Sequence, residues 1–502
     1  MTNPPRGGPV EPEPPLTSPS LDPVDWDAYR VEAHRLLDAV LDEIRDVAAG
    51  PAWRPLPDDI KAGFAAPLPQ DGEPIAAVWA QCRDTVMPYG VGNRHPRFLG
   101  WVHGAGTVGG MLGELAAAGL NANLGGRDHA PVYLERQVVA WFRDLFGFPE
   151  TAAGLLVTGT STANLIGVTV ARTAAAGPRV RQHGVAGLRL VGYASDQVHG
   201  CVAKAFDITG LGRDALRLIP TDRNFRIEIP ALQAAIAADR RAGFQPFLVV
   251  GCAGTVNTGA IDPLPQLADL AAAEGLWFHV DGAFGGLVRL APALAPLVAG
   301  IERADSLAFD FHKWLHVPYD AGGILVRDGA LQVATFGGRA PYLAGADGGT
   351  AGGEPWFCDL GIDLSRGFRA LKVWFTLKEH GARRLGAKIA DNCRLAAYLA
   401  ARVIAAPDLE LAAPVPLNIV CLRYVAPDDA RDGDALNAAI VVELQRRGLA
   451  VPSTTVLERR LAIRVNITNH RTQAADLDLL VRAIQAIGRE LTGRAEGAPI
   501  GE

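Results

Sequence analysis

The sequence predicts an α/β protein built on a largely parallel sheet of seven strands, and three observations carry that prediction. Seven short apolar runs, Leu155–Thr158, Arg189–Ala194, Leu216–Ile219, Phe247–Gly251, Leu276–Val280, Ser306–Phe309 and Gly323–Val326, follow one another along the middle of the chain. Segments of helical periodicity separate most of them, the alternation that produces a parallel sheet with helices on both faces. The runs are almost continuously apolar, as strands covered on both sides must be.

The elements follow in order. Residues 1–24 are Pro-rich and lack apolar periodicity, which predicts a disordered tail. Residues 25–110 read as a helical arm: Tyr29, Leu36, Leu37, Val40, Leu41 and Ile44 recur at helical spacing, and a second helical stretch runs from about Ile75 to Val86. Such a stripe needs a surface to lie on. Residues 111–380 hold the sheet, and residues 381–495 form a smaller α+β unit. In that unit residues 385–404, Asp434–Arg447 and Ala474–Leu491 are helical, while Leu417–Arg423 and Leu461–Ile467 are strand-like.

Composition narrows the class. The chain has 502 residues, 49% hydrophobic and 20% charged, with a formal net charge of −6. That balance offers no basic field to a nucleic-acid backbone or an anionic membrane, and a small-molecule substrate is expected. The start has no apolar signal region, and no run approaches the ~20 apolar residues that span a bilayer, so a cytoplasmic protein is expected. The six cysteines are scattered without CxxC spacing, which argues against a zinc site and a disulfide framework.

Ligands of such sheets bind where strands end and loops lead into helices. Four segments place chemistry there. The run Leu276–Val280 leads into Asp281, followed by Gly282 and Ala283; this carboxylate either caps the next turn or faces a ligand. The next run leads through Asp310 to His312 and Lys313. Flanked by Phe311, Trp314 and Leu315, Lys313 is either a buried amine kept neutral for Schiff-base chemistry or a side chain that snorkels to water. Gly159, Thr160, Ser161 and Thr162 lie between a strand and a helix, as an N-cap or as a cradle for one phosphate; the spacing of a nucleotide P-loop is missing. His199 follows another strand, placed to stack on a flat ring or to serve as an ordinary polar residue.

The order of these features resembles that of the group II PLP-dependent decarboxylases, the aromatic-amino-acid, histidine and glutamate decarboxylase family. The resemblance runs from about Trp26 to the end of the chain. It rests on His95-Pro-Arg-Phe98, Ser195-Asp-Gln-Val-His199, Gly254-Thr255, His279-Val-Asp281-Gly-Ala283, His312-Lys313-Trp-Leu and Arg366-Gly-Phe-Arg-Ala-Leu-Lys372. It implies the aspartate aminotransferase-like fold (fold type I), pyridoxal 5'-phosphate (PLP) as cofactor, and a homodimer with shared active sites. It also implies decarboxylation of an L-amino acid, aromatic or otherwise bulky, to the amine and CO2.

The resemblance also implies roles. Lys313 matches the lysine that binds PLP as a Schiff base, Asp281 the carboxylate that pairs with the pyridine nitrogen, and His199 the histidine stacked on the ring. Ala283 matches the small residue under the ring, Thr255 a residue on its 3-hydroxyl side, and His312 a neighbour of phosphate and ring. Thr160 and Ser161 align with the phosphate cradle. Trp101 matches an aromatic pocket residue, and Arg464 an arginine that meets a substrate carboxylate in glutamate decarboxylases. The chain departs from the pattern at Phe357, aligned where relatives carry a loop tyrosine that protonates Cα. Phenylalanine there accompanies an aldehyde-forming reaction in some plant relatives. Tyr342 and His199 are the alternative proton donors.

Overall fold

The computed structural model describes residues 20–338, 345–426 and 432–493. They fall into two compact units. The first, residues up to Asp46 together with Asp58–Pro88, contains the helices Trp26–Arg45, Asp58–Gly63 and Ile75–Thr85. Asp25 starts the first helix: its carboxylate accepts from the N–H groups of Asp27 and Ala28 at 3.0 and 2.9 Å. No residue of these three helices is buried, and Trp26, Tyr29, Val31, Phe64 and Val78 are exposed.

The second unit, Val47–Pro57 and Tyr89–Glu502, holds two sheets. Its strands in chain order are β1 (Phe98–Leu99), β2 (Ala153–Val157), β3 (Leu190–Ser195), β4 (Leu216–Ile219), β5 (Gln245–Cys252), β6 (Trp277–Asp281), β7 (Ser306–Asp310), β8 (Gly322–Val326), β9 (Leu409–Leu411), β10 (Ile419–Tyr424), β11 (Val451–Leu457) and β12 (Arg460–Asn466). The large sheet runs β2-β8-β7-β6-β5-β3-β4, so all seven expected strands are present. Pairing is parallel from β4 to β7. Strand β8 is reversed and pairs antiparallel with both β7 and β2. The remaining six strands therefore point the same way, and their carboxyl ends share one edge.

The smaller sheet, β1-β11-β12-β10-β9, is antiparallel except for the β1–β11 pair. Its core (Leu99, Leu399, Val420, Ile463, Leu480 and Ile484 among others) is separate from the one beneath the large sheet. Strand β11 is not among the expected strands, because Pro452, Ser453, Thr454 and Thr455 interrupt its apolar pattern. The helix Arg369–Ile404 includes the expected stretch 385–404 and begins earlier, with a break at Gly381, whose φ is +71°.

One buried ion pair ties the chain together behind the site. The guanidinium of Arg366 meets the carboxylate of Glu135 and also donates to the carbonyls of Leu124 (2.8 Å) and Leu156 (2.6 Å). Glu135 in turn accepts from the Leu156 N–H at 3.0 Å. Every partner is satisfied, the condition under which a buried charge pair is tolerated. No helix among the described residues is long and apolar enough to cross a membrane.

Candidate active site

The carboxyl ends of β3, β5, β6 and β7 open on one cleft with a cavity volume of about 230 Å³. Lys313, Asp281, His199, Thr255, Ala283 and Thr160 all line it, although they lie far apart along the chain. Strand-end position together with the family resemblance suggested this assembly, and the sheet brings it about, because each residue sits at or just beyond a strand end.

Lys313 Nζ lies 2.9 Å from Asp310 Oδ2. Burial works against its ammonium, but the charge and hydrogen bond of Asp310, with Asp281 behind, outweigh burial and raise the amine above its ordinary value. The apolar flanks of Lys313 predict the opposite, a neutral amine; the carboxylate three residues earlier reverses the sign. Asp310, 1% exposed, has its own donors in Thr160, whose N–H and hydroxyl reach its two oxygens at 2.8 and 2.9 Å.

That arrangement bears on the expected phosphate cradle. Thr160 begins the helix Thr160–Ala176, and both its donors are spent on Asp310. Ser161, one position on, is exposed, so its N–H and hydroxyl stand at the positive end of the helix. His312 is 6% exposed. Its Nδ1 accepts from the Ala321 N–H at 3.1 Å and its ring lies 4.3 Å from that of Tyr319. Burial lowers its pKa, with the Lys313 charge adding to the effect.

Asp281 sits at the end of β6. Its Oδ2 accepts from Asn164 Nδ2 at 2.9 Å and its Oδ1 from the Ala283 N–H at 3.1 Å. His199 is exposed at the cleft, and its Nδ1 also caps the helix Gly200–Ile208 through the Cys201 N–H at 3.2 Å. The ordinary polar role is thus filled by the cap, while the residue keeps its place on the lining of the cleft. Thr255 is buried, with its hydroxyl 3.2 Å from that of Thr258.

These groups suit PLP: an amine, a carboxylate on the same cavity, an imidazole at its rim, a small alanine, and a helix start with an exposed serine. Among the described residues, no cluster of His, Cys, Asp and Glu could hold a metal ion.

The wall of the cleft comes from an unexpected quarter. Val102 and His103 join Trp101, which has φ +45° and is half exposed, and Phe284 lines the cleft as well. The His103 ring lies 5.9 Å from that of Trp101 and 5.8 Å from that of Tyr319. Burial lowers its pKa, and the Lys313 charge acts in the same direction. Its signal in the sequence was the Trp-Val-His-Gly run just beyond His95-Pro-Arg-Phe98, which follows no strand of the large sheet.

Two residues expected at the substrate lie elsewhere in the subunit. Phe357 is 4% exposed and packs with Leu155, Val157, Ile166 and Leu360, with the Arg366 guanidinium 4.8 Å from its ring centre. Its apolar neighbours hold it in the core. Arg464 is buried, which pushes it down to about 10. It donates to the carbonyls of Val256 (2.8 Å), Asn257 (3.2 Å) and Trp101 (2.9 Å), and its Nη2 has no hydrogen-bond partner. Arg464 thus fastens β12 to the cleft wall without lining the cleft. Tyr342 lies outside the described residues.

Comparison with known proteins agrees with this geometry. Residues 57–425 match the family model described as the pyridoxal-dependent decarboxylase conserved domain. The chain is 32% identical over 467 residues to an aromatic-L-amino-acid decarboxylase of Bacillus atrophaeus, covering 91% of this chain and 95% of that one. It is 31% identical over 427 residues to an L-2,4-diaminobutyrate decarboxylase of Rhizobium meliloti, covering 85% and 84%. Among solved structures it resembles an Oryza sativa TDC crystallised with PLP and tryptamine. That match has a TM-score of 0.86 and 26% identity, and it covers 94% of this chain and all of the other.

Proposed function

The chain belongs to the pyridoxal-dependent decarboxylase family, PLP-dependent carboxy-lyases, and on that premise we propose that it removes the α-carboxylate of an aromatic L-amino acid to give the amine and CO2. The observation that carries the choice of substrate is the cleft wall. Trp101, Val102, His103 and Phe284 face a cavity in which, among the described residues, Lys313 is the one ammonium or guanidinium group. An aromatic side chain gains from burial against such a wall and from ring–ring contact, roughly 0.5–1.5 kcal/mol beyond the area it buries. An acidic side chain would need a cation there, and Arg464 is not among the residues that line the cavity; its Nε and Nη1 donate to backbone carbonyls of the wall.

When bound, PLP supplies a conjugated ring that accepts the electron pair left as CO2 departs. The chain's own residues do the rest. Lys313, whose amine faces the cleft, would hold the cofactor. The Asp281 carboxylate provides the negative charge that favours a protonated ring nitrogen. His199, at the rim, would cover one face of the ring, and the N-terminus of Thr160–Ala176 with Ser161 would supply donors for its phosphate. The walls orient the substrate and exclude water, which is the larger part of what a protein adds to this chemistry. His103 and His199 are the imidazoles of the cleft able to carry a proton to Cα.

We extend the proposal to a homodimer. Trp26, Tyr29, Val31 and Val78 of the N-terminal helices, with Phe64 just beyond the second, are exposed, apolar surface that a partner subunit would cover. Light scattering that found an active monomer would exclude it.

The proposal is tested by loading the purified protein with PLP and assaying CO2, amine, aldehyde and peroxide with a panel of L-amino acids that includes tryptophan, tyrosine, histidine, glutamate and 2,4-diaminobutyrate. CO2 with amine from an aromatic substrate supports it. Preference for glutamate or diaminobutyrate overturns the substrate, and aldehyde with peroxide overturns the product.

A further inference from the structure

The period-two geometry of a strand places Trp277, His279 and Asp281 of β6 on one face. Register places Ser306 of β7 directly opposite His279. The helix Thr160–Ala176 brings Asn164 to the same face. The result is a continuous hydrogen-bonded chain. Trp277 Nε1 lies 2.8 Å from Ser306 Oγ, and Ser306 Oγ lies 2.7 Å from His279 Nδ1. His279 Nε2 lies 2.7 Å from Asn164 Oδ1, and Asn164 Nδ2 lies 2.9 Å from Asp281 Oδ2.

Its two ends fix its direction. An indole N–H can only donate, and an ionised carboxylate can only accept. Asn164 must then turn its amide N–H to Asp281 and its carbonyl to His279, so the His279 proton sits on Nε2. The His279 Nδ1 lone pair accepts the Ser306 hydroxyl proton, which leaves the Ser306 oxygen to accept from Trp277. All four bonds point towards Asp281. Burial pushes His279 down to about 4, so Nδ1 stays an acceptor.

Asn164, His279 and Ser306 are fully buried. Polar groups in a core are costly unless each is paired, and aligned bonds polarise one another. Space has also been made for the ring: a Cβ at Gly167 would stand 2.7 and 2.8 Å from His279 Cε1 and Nδ1. Donors to the charged form of a carboxylate keep it charged.

We propose that Asn164, His279, Ser306 and Trp277 are positioning residues that act through Asp281, a polarised relay that fixes this carboxylate in place and so favours the protonated form of the cofactor's ring nitrogen. The proposal rests on the assignment of Asp281 to that nitrogen. None of the four needs to touch the cofactor; Asn164 delivers the effect of the other three.

The test uses the protein loaded with PLP carrying 15N in the ring. In Ser306→Ala the ring-nitrogen signal is expected to move from its protonated towards its neutral position, and the Kd for PLP to weaken about tenfold, the scale of one lost hydrogen bond. Ser306→Thr, which keeps the hydroxyl, is expected to restore both. A folded Ser306→Ala protein with unchanged signal and Kd overturns the relay. Should that variant not fold, Gly167→Ala, which crowds the His279 ring from the helix side, is judged by the same two readouts. Asp281→Ala separates the premise from the proposal. If it too leaves the nitrogen signal unmoved, the assignment of Asp281 fails and the relay falls with it. If it moves the signal while Ser306→Ala does not, the relay alone is refuted.

Discussion

Asp310 Oδ2 stands 2.9 Å from Lys313 Nζ, and both oxygens of Asp310 are also held by Thr160. A carboxylate so fixed sets when the amine is ready to react. The Lys313 pKa is raised, so its ammonium persists to higher pH than an ordinary lysine's, and only the free amine attacks an aldehyde. Capture of PLP by the apoprotein is therefore expected to accelerate as pH rises through that raised value. Asp310→Asn removes the charge and should move the rise to lower pH. Stopped-flow absorbance across the pH range measures this; an unmoved profile would show that Asp310 does not control the amine.

Lys313→Ala removes the attachment point itself. The PLP-loaded variant should lose the visible absorbance of the holoenzyme, and decarboxylation should fall roughly 10³-fold or more, the scale of losing a covalent participant. Retention of both would place the attachment elsewhere.

Trp101 tests the aromatic wall. Trp101→Ala should raise KM for an aromatic substrate by about tenfold, the worth of a large apolar contact, with a smaller change in kcat. Equal loss for aromatic and small aliphatic substrates would count against a pocket role.

Gly104 is where the wall segment passes over the lysine loop. A Cβ there would lie 2.1 Å from the His312 carbonyl oxygen and 2.4 Å from that of Lys313, both backbone atoms with little room to retreat. Gly104→Ala should push the two segments apart and cut kcat/KM by about 10²-fold while the protein stays folded, since small misplacements at a reacting centre are expensive. Wild-type kinetics in this variant would show that the segments separate freely.

Arg366→Ala tests the support behind the site. It leaves Glu135 buried without its partner, a change worth about 3–5 kcal/mol. Denaturant unfolding should show the loss, and a shift below 1 kcal/mol would indicate that water or another cation replaces the guanidinium.

The seven strands of the large sheet were readable because fully buried strands leave compact apolar runs between helices, and the principal site residues were readable because each follows such a run. The direction of β8 was not, since Gly323–Val326 looks the same traversed either way. Strand β11 hid behind Pro452 and its hydroxyl residues. His103 arrives from a segment with no strand-end signature. The His279–Asn164 pair was in view within His-Val-Asp and Thr-Ala-Asn, but a contact between positions 115 residues apart has no local trace. Phe357 was placed by resemblance alone, and its packing in the core of its own subunit has no trace in the residues around it.

The reversal of β8 also bears on how the chain tolerates change. A parallel crossover would carry the polypeptide after β7 away through a helix, and insertions there could be absorbed at a distance. Here residues 311–321 must leave β7 and re-enter β8 at the same end of the sheet, and both turns are pinned: the N–H groups of Phe311 and His312 each donate to the Ala321 carbonyl at 3.0 Å. Lys313 is thus tethered from both sides on a span too short to take up slack. Of all the loops at this edge, this one should be the least forgiving of added or lost residues, whatever those residues are.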